Sequence, residues 1–262
     1  MNSCCRWNGT RRSLLIGAIV GLAALSAAWS DSVLAQQQAS RPLSIVVFGA
    51  SGRVGSRIVS EALSRGHRVT GVSRSLDSLT EQHARFTGVV GEVTDSASVA
   101  AIAAGHDAVV SAIGGSNPDS DDPENSIPAQ AGRALVAGLR GLGADAPRLI
   151  VVGGGSSTLE ASPGVPIEDA TDVPSGARAA RVWGHRVVLD LLKTVTDLRW
   201  TFFSPALEMR PGERTGVFRV GGSVVIRDAE GNSRISMEDF AVAMVDELEN
   251  PQHLGEQMTV AY

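Results

Sequence analysis

The chain has 262 residues, 43% of them hydrophobic and 19% charged, with a formal charge of −5. Disordered and fibrous classes are excluded, and one α/β domain or two small ones with a real core remain. The two cysteines, Cys4 and Cys5, both precede residue 6, so thiolate metal sites, cysteine nucleophiles and disulfides are excluded beyond them. The single tyrosine is Tyr262 and the single lysine is Lys193.

Residues 1–35 read as an export signal. Arg11-Arg12 precedes an apolar run from Leu14 to Trp29, and Val33-Leu34-Ala35 offers small residues for cleavage. That run is shorter than the roughly 20 residues a spanning helix needs, so no stable membrane span is expected once the signal is removed. The paired arginines resemble a twin-arginine signal, which would place the protein in the periplasm. A general secretion signal, or an uncleaved inner-membrane anchor, is the alternative. Residues 36–42 form a polar leader. The remainder is mildly acidic, and no basic stripe favours nucleic acid or anionic lipid.

From Leu43 the pattern alternates. Leu43–Phe48 is a buried-strand run, and Arg53–Arg65 has helical spacing that stops at Gly66. Further strands are predicted at 68–72, 87–90, 108–113, 149–152 and 200–203, with helices at 75–84, 96–104, 127–143 and 176–195 between them. Strands alternating with crossover helices predict a Rossmann-like α/β fold, a doubly wound parallel sheet with helices on both faces. After Pro205 the pattern predicts a hairpin, with Val217–Val220 and Val224–Ile226 flanking Gly221-Gly222-Ser223. A capping-box spacing at Ser236–Asp239 opens a last helix, and Gln257–Val260 is a last strand. Residues 43–262 thus read as one domain, in which 205–235 form a small substrate lobe.

Gly49-Ala50-Ser51-Gly52-Arg53-Val54-Gly55 joins the first strand to the first helix. Glycines at 49, 52 and 55 allow a tight turn, close backbone approach to a pyrophosphate, and close packing of helix on sheet. The free amides and positive end of the helix favour phosphate. At the end of the second strand, Ser73-Arg74-Ser75 stands where an NAD site usually carries a carboxylate for the ribose hydroxyl. A guanidinium there pairs instead with a 2′-phosphate, and Arg53 could close on the same group. NADP is therefore expected over NAD.

The glycine spacing, Val72-Ser73-Arg74, Gly91-Glu92-Val93-Thr94-Asp95 and Ser111-Ala112-Ile113-Gly114 together resemble atypical short-chain dehydrogenases of the NAD(P)H-binding, NmrA-like type. The likeness is nearest to bacterial candidate NADH-flavin reductases and biliverdin reductase B-like proteins. It extends to Ser204-Pro205 and Pro211-Gly212-Glu213-Arg214-Thr215-Gly216. By that resemblance Glu92 and Val93 lie beside the adenine, and Ala112, Ile113 and Gly114 lie along the ribose and nicotinamide. The family often has Asp where this chain has Glu92.

The Tyr-x-x-x-Lys pair that reduces carbonyls in conventional short-chain dehydrogenases cannot occur here, because no tyrosine precedes residue 262 and Leu189 stands four residues before Lys193. A flavin or quinone needs no such pair: its proton can come from water while the protein supplies proximity and orientation. The expected function is an NADPH-dependent reductase of a flavin (FMN or FAD as substrate), a quinone or a similar small conjugated acceptor. The alternative is a non-catalytic NADP-binding redox sensor. Candidate polar groups at the reacting end are Ser111, Ser156 and His185, each with a structural reading beside the catalytic one, and Glu208 beyond Pro205. Residues 115–123 are a polar loop, a candidate flap over the cofactor. The other histidines lack metal-ligand spacing, so no metal is expected.

Overall fold

The computed structural model describes residues 41–167 and 176–262. The proposed export signal and residues 36–40 of the leader lie outside the described residues. Pro42–Tyr262 forms one compact unit.

The first strand, β1 (Ser44–Phe48), is followed by α1 (Gly55–Ser64), β2 (Arg68–Ser73), β3 (Phe86–Val90), α2 (Ser96–Ala103), β4 (Ala108–Ser111) and α3 (Ile127–Arg140). The chain continues through β5 (Arg148–Val152), the single turn α4 (Gly155–Thr158), a short ladder of β6 (Glu160–Ser162) and β7 (Val165–Pro166), and α5 (Ala177–Lys193). Last come β8 (Trp200–Pro205), β9 (Glu208–Arg210), β10 (Arg219–Gly221), β11 (Arg234–Ser236), α6 (Met237–Glu249) and β12 (Glu256–Ala261). The main sheet runs β3-β2-β1-β4-β5-β8-β12-β10, parallel throughout except for β10 against β12. This is the doubly wound α/β fold. Strand order reverses between β1 and β4, where such sheets open a crevice at their carboxyl ends.

Side-chain alternation in β1 divides the core. Ile45 and Val47 face α1 and α6, where Ile58, Ala62, Phe240, Met244 and Val245 are buried. Val46 and Phe48 face α2, α3 and α5 across Val99, Leu135, Leu139, Val188 and Leu189. Strands buried on both faces read as continuous apolar runs, which is why they were visible in the sequence. Among the described residues no helix is long and apolar enough to cross a membrane.

Two local expectations are corrected. The helix expected at 75–84 is only a 3₁₀ turn at Leu76–Ser78. Side chains there capture the amides a helix would use: Ser75 Oγ accepts from Asp77 N, Glu81 Oε1 accepts from Gln82 N and His83 N, and His83 Nδ1 accepts from Arg85 N. The hairpin at 217–226 does not form either. Its first half becomes β10 on the edge of the main sheet, antiparallel to β12. Its second half pairs with the segment after β5, where Glu160 N donates to Ser223 O and Val225 N donates to Glu160 O. The short parallel ladder β9–β11, Glu208–Arg210 with Arg234–Ser236, accounts for most of the remaining extended chain after Pro205.

Candidate dinucleotide site

At the β1/β4 switch point the chain turns on Gly49, whose φ of +80° suits glycine alone. A Cβ on Gly49 would stand 2.7 Å from Ala112 O, so the turn lies hard against the chain leaving β4. Gly49 N and Ala50 N donate to Val72 O at 3.2 and 3.3 Å, and Gly52 N donates to Gly49 O at 2.9 Å. At Gly55 a Cβ would fall 2.1 Å from Gly49 O; this glycine seats the helix rather than facing ligand.

Three amides in this turn, those of Ser51, Arg53 and Val54, have no partner among the described residues. The helix α1 begins at a Val54 N-cap with no side-chain cap and no acid in its first turn. By contrast α2, α3 and α6 are capped by Asp95, Ser126 and Ser236. A helix start left open in this way has its positive end and free donors available to an anion.

A cleft of about 750 Å³ opens over the turn. Gly49, Ser51, Gly52, Arg53, Val54, Arg74, Glu92, Val93, Ala112, Ile113 and Gly114 line it, so every sequence-derived cofactor residue except Gly55 meets there. Arg53 and Arg74 are exposed, and neither guanidinium is paired among the described residues. Glu92 is the one carboxylate lining the cleft among the described residues, and its Oε1 is engaged locally by Thr94 N at 3.1 Å and Thr94 Oγ1 at 2.9 Å. The end of β2 thus carries hydroxyl and guanidinium groups and no acid, a donor set that fits a phosphate.

The far end of the cleft holds residues that the sequence did not single out: Ile127, Arg181, Met209 and Met237. Met209 and Met237 meet here because the β9–β11 ladder brings Met209 beside the start of α6. Of the expected flap, Gly115, Ser116, Asn117 and Pro118 reach the lining.

The three candidate catalytic residues lie outside this lining. Ser111 is buried at the end of β4, in register with Phe48 and Val151. Ser156 sits in α4, partly exposed. His185 is buried in α5 beside Gly154, its Nδ1 unpartnered; burial, with Arg181 adding to it, pushes its pKa down to about 4. Glu208 pairs with Arg210 at 2.6 Å. The segment Pro211–Gly216 belongs to the expected substrate lobe, where it would wall the pocket; it is instead committed to packing: Arg214 makes a two-pronged pair with Glu61, while Thr215 Oγ1 and Gly216 N donate to Asp239. Lys193 ends α5, and Tyr262 Oη donates to Asp239 Oδ2 at 2.9 Å, so the chain's one tyrosine and one lysine sit outside the cleft lining. A second hollow of about 570 Å³ between β10, β12 and α6 is lined by Asp246, Glu247 and Glu249. Those carboxylates already serve Arg65 and Arg148.

An open helix start, a glycine turn at the switch point and a cleft across both sides of it define a Rossmann-type dinucleotide-binding protein. The chain belongs to the NAD(P)H-binding family, whose model matches residues 49–251. It is 36% identical over 221 residues to YwnB of Bacillus subtilis, a protein of uncharacterised function, covering 83% of this chain and 98% of that one. A candidate exported protein of Burkholderia pseudomallei has a similar structure, with TM-score 0.70, 41% identity, and coverage of 84% of this chain and 100% of the other. Also similar is SP1627, a candidate NADH-flavin reductase of Streptococcus pneumoniae, with TM-score 0.68, 29% identity, and coverage of 84% and 99%.

Proposed function

We propose that the protein is an NADPH-dependent reductase that delivers hydride to a flavin, quinone or similar conjugated acceptor. The observation carrying this reading is the cleft's division of labour: free amides at the glycine turn, Arg53 and Arg74 unpaired among the described residues at the adenosine side, and a far end where Ile127, Met209 and Met237 surround Arg181. The likeness to a candidate NADH-flavin reductase supports the acceptor class.

Ser51, Arg53 and Val54 would hold the pyrophosphate through their amides, and Arg74 with Arg53 would recognise the 2′-phosphate. Ala112, Ile113 and Gly114 would carry the ribose and nicotinamide. When bound, the dinucleotide supplies the hydride; an acceptor whose ring is already electron-poor takes its proton from water. Met209, Met237, Ile127 and Ile113 contribute orientation and exclusion of water, which together account for much of the rate in reactions that need no acid–base pair. No tyrosine or lysine is required, in keeping with where Tyr262 and Lys193 lie.

The same scarcity of titrating groups at the far end favours a second reading, a non-catalytic NADP-binding redox sensor. NADPH oxidation with a panel of flavins and quinones separates the two. Turnover above background is expected, and tight NADPH binding without turnover would favour the sensor. Calorimetry on Arg74→Ala tests the cofactor: NADPH affinity should fall about 10- to 100-fold with NADH affinity little changed. Equal loss for both would remove the preference for the phosphorylated form.

We further propose that the protein is exported to the periplasm by the twin-arginine route, folded and already loaded with its dinucleotide. The arginine pair at 11–12 and the likeness to a candidate exported protein support this. Periplasmic protein recovered empty and with weak affinity would argue against it.

A further inference from the structure

Arg181 is the one cationic side chain lining the far end of the cleft among the described residues, since Arg53 and Arg74 belong to the glycine turn and the end of β2. Its place is fixed rather than solvated. The side chain is half-buried on the first turns of α5, and Nη1 donates to Gly114 O at 3.2 Å, at the last residue of the stretch assigned to the ribose and nicotinamide. Nε is buried with no partner among the described residues. No carboxylate pairs with this guanidinium among the described residues.

One turn along the helix stands His185, held neutral, so it neither satisfies nor competes for an anion. Ile113, Ile127, Met209 and Met237 make up the apolar surroundings. A guanidinium Nε–H buried without an acceptor is costly unless one arrives, because burial removes its water without replacing the hydrogen bond.

We infer that Arg181 recognises an oxyanion, a phosphate or carboxylate, on the acceptor. The acceptor is then a planar conjugated molecule whose apolar ring lies against Met209 and Met237 while its acidic group pairs with Arg181. This rests on the reductase reading, and it narrows the acceptor from conjugated molecules in general to anionic ones. Thioether side chains conform to varied ring outlines, so selectivity would come from the guanidinium rather than from a shaped slot.

FMN and riboflavin share one ring system and differ by a phosphate, so they isolate this interaction. Calorimetric titration of each into NADP⁺-saturated protein should show FMN binding about 10- to 100-fold tighter than riboflavin. Arg181→Met, which keeps most of the apolar stem, should remove that difference while leaving riboflavin and NADPH affinities near their original values. Arg181→Lys should keep part of it, and provides a folded comparison if the methionine variant is unstable. With turnover as the readout, KM for FMN should rise in Arg181→Met at nearly constant kcat. Equal binding of FMN and riboflavin by the unaltered protein overturns the inference, as does a preference for FMN that survives in both variants. A loss of NADPH affinity in place of FMN affinity reassigns Arg181 to the cofactor. The binding arm needs no catalysis, so a protein that turns over no acceptor but shows Arg181-dependent FMN binding would refute the reductase and keep the anion site.

Discussion

His185 can be tested through stability, whatever its part in chemistry. Burial holds its imidazole neutral down to about pH 4, against an ordinary value near 6.5. Between those values the unfolded chain takes up a proton that the folded one refuses, so the stabilisation is complete above pH 6.5 and is lost as pH falls toward 4. Urea unfolding at pH 7.0 and 4.5 should differ by about 2–3 kcal/mol, and His185→Gln should flatten that slope. Glu61, Asp239 and Glu247 have lowered values because hydrogen bonds from Arg214, from Thr215 and from His253 respectively outweigh burial; their stabilisation is complete above the ordinary carboxylate range and is lost as pH falls below it, so they add to the slope mainly under about pH 4.5. At this scale the sequence was legible where backbone conformation dictates the residue. Gly49, Gly52 and Gly55 announce themselves because other side chains fit those positions poorly. Arg181 gave no such signal: it is one of many arginines on an amphipathic helix, and only its contact with Gly114 O places it in the cleft.

At the scale of elements, the helix seat at Gly55 is the most exacting junction. With a Cβ 2.1 Å from the backbone oxygen of Gly49, Gly55→Ala must push α1 away from β1. Overpacking of this kind costs about 1–3 kcal/mol. NADPH affinity should fall with it, since the same turn presents the free amides; unchanged melting and affinity would show that the turn relaxes freely. The central strands β1, β4, β5 and β8 could be read from composition because burial on both faces demands continuous apolar runs. The segment 75–84 misled for a local reason, the competition of Ser75, Glu81 and His83 for backbone amides. The hairpin misled for a distant one: Gly221 pairs with Thr259 and Val224 with Glu160, partners about 40 and 60 residues away in the chain.

Across the whole molecule, Asp239 gathers the chain's last third. It is fully buried and accepts from Thr215 Oγ1, Gly216 N and Tyr262 Oη. Tyr262 Oη in turn accepts from Ser236 N at 3.1 Å, completing through a terminal residue the capping box that Ser236–Asp239 begins. Tyr262→Phe should therefore lower stability by about 1–2 kcal/mol, by leaving a backbone amide and a carboxylate oxygen short of a partner, while NADPH affinity stays unchanged. A fall in NADPH oxidation or affinity would mean that the phenol reaches the site after all. Sequence by itself determined the alternating α/β order, the glycine turn, the arginine at the end of β2 and the absence of a Tyr-x-x-x-Lys pair, because each is written within a few neighbouring residues. Only the tertiary structure decided that Met209, Met237 and Arg181 share the far end of one cleft, that Pro211–Gly216 is a latch rather than a wall, and that the lone tyrosine caps a helix. Those placements depend on which distant surfaces bury one another, and no local spacing encodes that.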